Sequence, residues 1–466
     1  MTEPRALPYA SIPEPPRVGR LGHLGEWLGL ENAKRVLDRL LRYAEVCGPL
    51  ARVTLGPIRM LVVSDAELAA RLLDDERANY KGASYILTRA VLDNVLLMNG
   101  DAWRTSRDAY RKALRDVDVR TVAADCTERF ADRIAKEAAS RGSAQLERGV
   151  SDLVREIVGR FVLGAQLPES FEKDRVLIQY ELAGLGIDLQ CQPWTYLSPA
   201  RWLRLRRAVH SARATFREHV ERRLARPDTN ARDVLSGFLR LARAGEYPGD
   251  AASLVDGCVN FFFTAHDVLT SSASFCLHLL SRHPEVAVRL RDESSSTPSE
   301  PATLGRPVLD GVIKESLRLY PGYSLFGRTL QADVVVGGYE IPRRTLVIVS
   351  PFVTHRLERN FADAKRFDPD RWRTRGPATL APNAGDGYLP FGAGARGCLA
   401  SHLAVPILKT IAETTTRRLE LRALPGHTPR LAYWGSAYSE NGLPVTVARV
   451  ASGARSEPRR EPATAS

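Results

Sequence analysis

The chain has 466 residues, 44% hydrophobic and 26% charged, with a formal net charge of +12 and a pI of about 9.6. That length supports a large buried core, and no window reaches the length of a membrane span, so no integral membrane segment is expected. The six cysteines, Cys47, Cys126, Cys191, Cys258, Cys276 and Cys398, are scattered with no Cys-x-x-Cys pair, which argues against a zinc site or disulfide framework and for a reducing compartment. A basic balance admits nucleic acid, an acidic membrane or an acidic protein as partner. No nucleic-acid motif appears and the arginines are spread over many helices, so an acidic protein fits better.

Residues 1–20, with Pro8, Pro13, Pro15 and Pro16, read as an extended lead-in without the apolar core of a signal peptide. Residues 31–46 carry a helical pattern in Ala33, Val36, Leu37, Leu40, Leu41 and Ala44. Residues 50–63 read as a hairpin turning at Gly56-Pro57. Ser64-Asp65-Ala66-Glu67 reads as a capping box opening a helix to about Leu73. Residues 76–100 are irregular, with Tyr80, Tyr85 and Ile86. Trp103 and Arg107 then share a helical face one turn apart. Residues 120–225 are mostly helical, and the tract from Arg201 to Arg226 is dense in arginine.

Residues 250–282 read as one long apolar helix around Phe263-Thr264-Ala265-His266-Asp267-Val268. An aspartate inside such a helix is costly without a partner or a function. His283-Pro284-Glu285 restarts a helix, and 292–307 is a Ser/Pro/Glu-rich surface loop. Glu315 and Arg318 face each other at i,i+3 on the next helix. Gly322 to Arg328 follows, with Ser324, Leu325 and Phe326. Residues 329–352 and 420–450 alternate strand-like segments with turns, and 452–466 form a polar tail without a packed structure. Between them lies Pro390-Phe391-Gly392-Ala393-Gly394-Ala395-Arg396-Gly397-Cys398-Leu399-Ala400. Its glycines allow positive φ and close approach to something flat or bulky. Leu399, Leu403, Ile407, Leu408 and Ile411 recur at helical spacing, so Cys398 sits at or near a helix N-terminus that favours a thiolate.

This stretch resembles the haem-binding signature of the cytochrome P-450 family, Phe-Gly-x-Gly-x-Arg-x-Cys-x-Gly/Ala, at Phe391, Gly392, Gly394, Arg396, Cys398 and Ala400. Three further motifs match in order, and the resemblance covers roughly residues 10–450. It implies a mainly α fold: a large helical domain with a small β-rich lobe, and haem b (iron protoporphyrin IX) between the long distal helix and the helix after the cysteine. A single domain over 21–450 follows, with 451–466 a disordered tail. Cys398 would be the iron's axial ligand. Trp103, Arg107, Arg328, His355 and Arg396 would hold the propionates. Tyr85, Phe263, Val268, Ser324, Leu325, Phe326 and Ser436 would face substrate. Glu315, Arg318 and Arg371 would form a buried structural triad.

The family's distal motif, Ala-Gly-x-Asp/Glu-Thr-Thr/Ser, places Thr264 at Ala, Ala265 at Gly, Asp267 at the acid and Val268 at the first Thr. That Thr helps deliver protons, and valine cannot. Thr264 or Ser271 could substitute, the substrate could bring its own hydroxyl, or the reaction could be a coupling, a cyclisation or peroxide-driven. A haem sensor without catalysis is the remaining alternative. The resemblance implies a soluble, cytoplasmic, bacterial-type monooxygenase acting on a small, secondary-metabolite-like substrate. Its electrons would come from NAD(P)H through a separate reductase and an acidic ferredoxin-type donor. The arginine tract at 201–226 is a solvated helix face or a landing site for an anionic lipid or a carrier protein bearing a tethered substrate.

Overall fold

The computed structural model describes residues 6–17, 22–27, 32, 34–78, 80–81, 95–179, 181, 199–228, 230–295, 306–374 and 387–450. Tyr85, Cys191, the 296–305 part of the Ser/Pro/Glu loop and the tail from 451 lie outside them. Strand β1 (Leu7–Pro8) and helices α1 (Gly22–Trp27) and α2 (Val36–Cys47) lead into the hairpin β2 (Leu50–Leu55) and β3 (Ile58–Val63), which closes at Leu55 opposite Ile58 with Gly56 at φ 57°. Helix α3 (Ala66–Asp74) is capped by Asp65, whose carboxylate accepts the Leu68 N–H at 2.9 Å. The expected capping box on Ser64 does not form, because the Ser64 hydroxyl donates instead to the Gly48 carbonyl at 2.9 Å.

Helices α4 (Gly100–Ala113) and α5 (Arg120–Arg141), the short β4 (Ala144–Gln145), α6 (Leu146–Leu163), a helical segment at 171–179, α7 (Pro199–Ala225) and α8 (Val234–Arg243) precede α9 (Ala251–Arg282), against which α6, α7 and α8 pack. Helix α9 has 32 residues, about 48 Å at the helical rise. Asp250 caps it by accepting the Ser253 N–H at 2.9 Å. Its middle is buried on most sides. Phe262 meets Phe171 and Phe216 edge-on, at 5.3 and 5.8 Å between ring centres, and each such ring contributes about 1.5–3 kcal/mol through burial. Among the described residues no helix is long and apolar enough to cross a membrane.

The remaining helices are α10 (Pro284–Ser295), α11 (Pro307–Leu319), α12 (Pro351–Thr354), α13 (Arg371–Thr374) and α14 (Ser401–Arg418). They interleave with β5 (Phe326–Thr329), β6 (Val334–Val336), β7 (Tyr339–Ile341), β8 (Leu346–Val349) and β9 to β12 (Leu419–Ala423, Leu431–Trp434, Ser436–Ser439, Pro444–Arg449). A four-stranded sheet runs β2-β3-β8-β5, with β3 and β8 parallel; β1-β7-β6, β4-β12-β9 and the hairpin β10-β11 form three smaller sheets. The helices share one apolar core, and Leu50, Leu61, Val63, Leu72, Val347 and Leu389 belong to a second one in the β-rich lobe. The fold is therefore mainly helical with a small β lobe, and the chain from 387 onward passes between the two cores.

Arg318 and Glu315, both fully buried, tie this junction together. All five guanidinium N–H groups are used. Nε and Nη2 donate to Glu315 at 2.9 and 2.8 Å, Nη1 to the carbonyls of His355 and Ala364 at 2.7 and 2.6 Å, and Nη2 to that of Arg366 at 2.9 Å. Glu315 also accepts from Arg371 Nε at 3.2 Å, Trp372 Nε1 at 3.0 Å and the Asp368 N–H at 3.0 Å. Glu147, in the first turn of α6, accepts the Ser439 N–H at 2.8 Å and anchors the β10-β11 hairpin. Burial pushes its carboxyl up to about 7, against the pull of that N–H.

Two stability measurements follow. Replacing Glu315 by Ala strands a buried guanidinium and should cost about 3–5 kcal/mol in denaturant unfolding; a loss below ~1 kcal/mol would refute the pairing. For Glu147 the folded state favours the protonated form. Its contribution is therefore full below the usual carboxyl value of 4.5 and is lost as pH rises through about 7. Glu147→Gln should gain on the parent protein as pH goes from about 5 to 8, by up to ~3 kcal/mol, whereas a pH-independent difference would contradict the burial.

Candidate active site

The loop before α14 is held at both ends and pressed against the β lobe. The Leu389 N–H donates to His355 Nε2 at 2.8 Å, the Tyr388 hydroxyl donates to the Lys314 carbonyl at 2.9 Å, and the Cys398 N–H donates back to the Phe391 carbonyl at 2.9 Å. Gly392 and Gly394 adopt φ 71° and 63°, a region L side chains avoid. A Cβ at Gly394 would sit 2.4 Å from the Leu73 carbonyl, and one at Gly392 would touch the Phe326 ring at 3.4 Å. The glycines therefore let the loop lie flat between α3 and β5. Cys398 emerges from it three residues before α14 begins. Its thiol is accessible yet enclosed by protein. That burial pushes it above the ordinary thiol value, and the Ala400 N–H, Arg107 and the Ser401 N–H pull the other way.

Cations gather beside the cysteine. Arg396 donates to the Met98 carbonyl at 2.8 Å and to Asn99 Oδ1 at 2.9 Å, and its guanidinium lies 4.4 Å from the Trp103 ring centre. Arg107 covers the same ring at 5.7 Å and donates from Nη2 to the Gly397 carbonyl. Its Nε is buried with no hydrogen-bond partner among the described residues. Burial, then Arg111, lower Arg107 to about 10; Cys398 opposes this and Arg328 adds to it. Arg328 is buried on β5, with Nη1 donating to the Gly327 carbonyl at 2.8 Å. Lys81 is the residue the sequence reading missed. Part of its side chain is accessible, but its ammonium is enclosed, and burial with Arg328 and Arg396 nearby holds it well below its usual value. Asn99 clamps Lys81 by accepting its N–H at 2.9 Å and donating to its carbonyl at 3.0 Å. Lys81 lies outside any recognisable motif, so only the three-dimensional arrangement reveals it.

A buried N–H without an acceptor is expensive, and cations that crowd one another need an anion. A group bearing two carboxylates and a metal that takes a thiolate matches both needs, so these residues fit haem. His355 does not join them. It is fully buried, Nε2 is taken by Leu389, and Nδ1 lies 3.2 Å from the Arg318 carbonyl. The expected propionate role is replaced by a clamp between the Arg318 network and the cysteine loop. Phe391 is half-buried against the larger core.

On α9, Thr264 is exposed along the helix face that also carries Val268, whose carbonyl would lie 2.6 Å from a Cβ at Gly322. Ser271 donates to the Ala437 carbonyl at 2.8 Å, so of the two hydroxyls expected to substitute for the missing threonine, that of Ser271 is already committed. Asp267 turns to another side of the helix. There it lines a cavity of about 510 Å³ together with His266, Glu147, Ser274 and Ser436.

Three of the expected substrate contacts are corrected. Ser324 is fully buried and donates to the Pro321 carbonyl at 3.0 Å, while its own carbonyl accepts from Ser350 at 2.7 Å. Phe263 packs among Phe171 and Phe262, at 6.0 and 5.5 Å, inside the helical core. Phe326 belongs to the β-lobe core beneath the cysteine loop. In each case a local backbone or packing partner took the side chain. Leu325 stays partly buried at the larger core, and Ser436 lies beside Asp267 rather than over Cys398.

Comparison with known proteins agrees with this geometry. Cyclooctat-9-en-7-ol 5-monooxygenase of Streptomyces melanosporofaciens is 27% identical over 445 residues, covering 91% of this chain and 92% of that one. Human mitochondrial 25-hydroxyvitamin D-1 alpha hydroxylase is 27% identical over 423 residues, 82% of each chain. Cytochrome P450 135B1 of Mycobacterium tuberculosis is 31% identical over 296 residues, and the match spans only 60% of that relative's length. A crystal structure of a cytochrome P450 (CYP102L1) superposes with a TM-score of 0.78 at 20% identity, over 96% of this chain and 100% of that one, a likeness of fold. The sequence profile described as Cytochrome P450 matches residues 13–439, from the lead-in to the last hairpin and across the whole cysteine loop, and by that match the chain belongs to the cytochrome P450 family.

Proposed function

We propose that the protein is a haem-thiolate monooxygenase of the cytoplasm that oxidises a small, secondary-metabolite-like molecule. The observation that carries this reading is the pairing of an accessible, enclosed Cys398 with the acceptor-less Nε of Arg107. Cys398 would ligate the iron, and Arg107, Arg328, Arg396 and Lys81 would hold the propionates, with Trp103 stacked between two of the guanidiniums. So held, haem supplies the oxygen activation for which thiolate ligation is suited. The chain's own work is to position substrate and to manage protons. Asp267 would gate proton entry at the cavity side of α9, and Thr264 would present a hydroxyl on the neighbouring face, in place of the one Val268 lacks.

Electrons would come from NAD(P)H through a separate reductase and an acidic ferredoxin-type donor. The basic balance of the chain supports this, as do exposed Arg111 and Lys112 on α4. Their surface pairs with Asp108 and Glu246, at 3.0 and 2.8 Å, are weak enough to yield to a partner. The alternative chemistry, coupling or peroxide-driven turnover, rests on Val268 alone; the exposed Thr264 and retained Asp267 favour monooxygenation. The substrate of the Streptomyces relative, a cyclic alcohol by name, supports a partly polar, mostly apolar molecule. A carrier-tethered substrate finds support in exposed Arg204, Arg206, Arg207 and Arg217 on α7, which have no ion pair among the described residues.

The reduced, carbon-monoxide-treated protein should show a strongly red-shifted Soret band that Cys398→Ser abolishes, and Arg107→Gln should retain haem about tenfold less tightly. Haem with an unshifted band in the parent protein would refute the thiolate. With a substrate in hand, labelled dioxygen should leave its label in the product, while unlabelled product would move the assignment to coupling or cyclisation.

A further inference from the structure

Neighbouring residues on a helix point about 100° apart, so His266 and Asp267 are not expected to meet. The structure brings them together. His266 Nδ1 lies 3.4 Å from Asp267 Oδ1. The ring is 1% exposed, stacks on Phe262 at 5.9 Å, and has Nε2 3.3 Å from the Ser151 carbonyl of α6. A carbonyl only accepts, so Nε2 carries a hydrogen and Nδ1 is the atom that can gain or lose one.

Nδ1 has a different set of partners in each state. In the neutral ring it accepts from Gln179 Nε2 at 3.1 Å, with Arg175 Nη1 at 3.4 Å; the Gln179 carbonyl accepts from Arg175 in turn. In the charged ring Nδ1–H donates to Asp267, while the Ser151 bond is kept and the ring does not move. A histidine fixed only for packing needs one of these sets.

Both residues line the 510 Å³ cavity between α6, the 171–179 segment, α9 and the β10-β11 hairpin. Its wall includes Thr270 and Ser274, whose hydroxyl oxygens are buried without a hydrogen-bond partner among the described residues. Buried hydroxyls left unpartnered in a cavity wall are sites where water binds. Asp267 keeps 36% of its side chain accessible.

We propose that His266 is a positioning residue that passes protons from the cavity to Asp267. A hydrated proton reaching the cavity from solvent protonates Nδ1 and leaves water; the Nδ1–H bond then breaks as an O–H bond forms at the Asp267 carboxylate, and the ring returns to neutral with no change of electrons. The inference rests on reading Asp267 as the proton-holding acid. The charged and titratable groups facing His266 are Asp267 on α9, Arg175 and Glu172 on the 171–179 segment, and Glu147, Arg148 and Arg155 on α6, with Tyr438 and Lys34 at the cavity rim.

The test uses haem-loaded protein, NADPH and a surrogate reductase and ferredoxin without added substrate, since oxygen reduction consumes protons and needs no product assay. His266→Gln should keep the parent's absorption spectrum and thermal midpoint, slow NADPH oxidation about tenfold, and flatten the pH–rate profile between about pH 5 and 8. In histidine-labelled protein, Asp267→Asn should lower the titration midpoint of one Nε2–H histidine by about one unit, because a nearby anion favours the charged ring. Gln179→Leu should raise the same midpoint, which keeps the test open if His266→Gln fails to fold. A slow Asp267→Asn beside a His266→Gln with parent rate and pH profile would overturn the role of His266 and leave the acid in place. Parent rates in both variants would overturn the acid reading as well. A histidine midpoint unmoved by either Asp267→Asn or Gln179→Leu would overturn the contact itself.

Discussion

The guanidinium of Arg318 fixes more of this structure than any other group. Its N–H donors reach one carboxylate on its own helix and three carbonyls in the stretch from His355 to Arg366. A buried charge so placed contributes little net stability, since desolvation offsets most of the attraction. What it sets is register. His355, whose carbonyl Arg318 holds, places its ring between the Arg318 carbonyl and the Leu389 N–H. One polar chain thus runs from the core of α11 to the entrance of the cysteine loop, and the position of Cys398 is inherited from it.

The other constraint is a conflict of like charges. Lys81, Arg107, Arg328 and Arg396 come from four separate stretches of chain and gather beside Cys398. Burial and mutual repulsion act on Lys81 and Arg107 in the same direction. A fold gathers cations in this way only where an anion relieves the repulsion. Trp103 lies against two of these guanidiniums and adds cation–π attraction. Binding and folding are coupled here: the group that satisfies Arg107 Nε also lowers the cost of the arrangement that receives it.

The long elements and the motif residues were legible in the sequence because their signals are local. Helix α9 carries its own cap at Asp250 and an apolar middle, the β2-β3 hairpin turns on a glycine, and the Glu315-Arg318 spacing places both groups on one face. What escaped was set by distant partners. Ser64 lost its capping role to carbonyls at 48 and 49, and Asp65 took it. His355 looks like a free cation in sequence, but both ring nitrogens are spent on backbone groups 34 and 37 positions away. Ser324 and Phe326 lie in the stretch expected to face substrate, yet a carbonyl and a second core claim them. Lys81 and Asn99 belong to no motif; only the contact between the 80–81 and 95–99 segments and β5 gives them a role.

Val268 makes sense in light of which way α9 faces. On the face bearing Thr264 and Val268, the Val268 carbonyl comes close to Gly322 while Thr264 stays exposed. Asp267, Thr270 and Ser274 instead line the 510 Å³ cavity. A valine in place of a threonine on the first face lacks one hydroxyl there and leaves the second face intact. On the proposed reading, proton supply would depend on the rim between the two faces, where Asp267 meets His266 on one side and Thr264 lies one turn away on the other. Ser271, one turn further on, cannot share that task while its hydroxyl holds the tip of the β10-β11 hairpin. The same hairpin is anchored at its other end by Glu147, so the elements that bound the cavity and those that limit hydroxyl traffic across α9 are one mechanical unit.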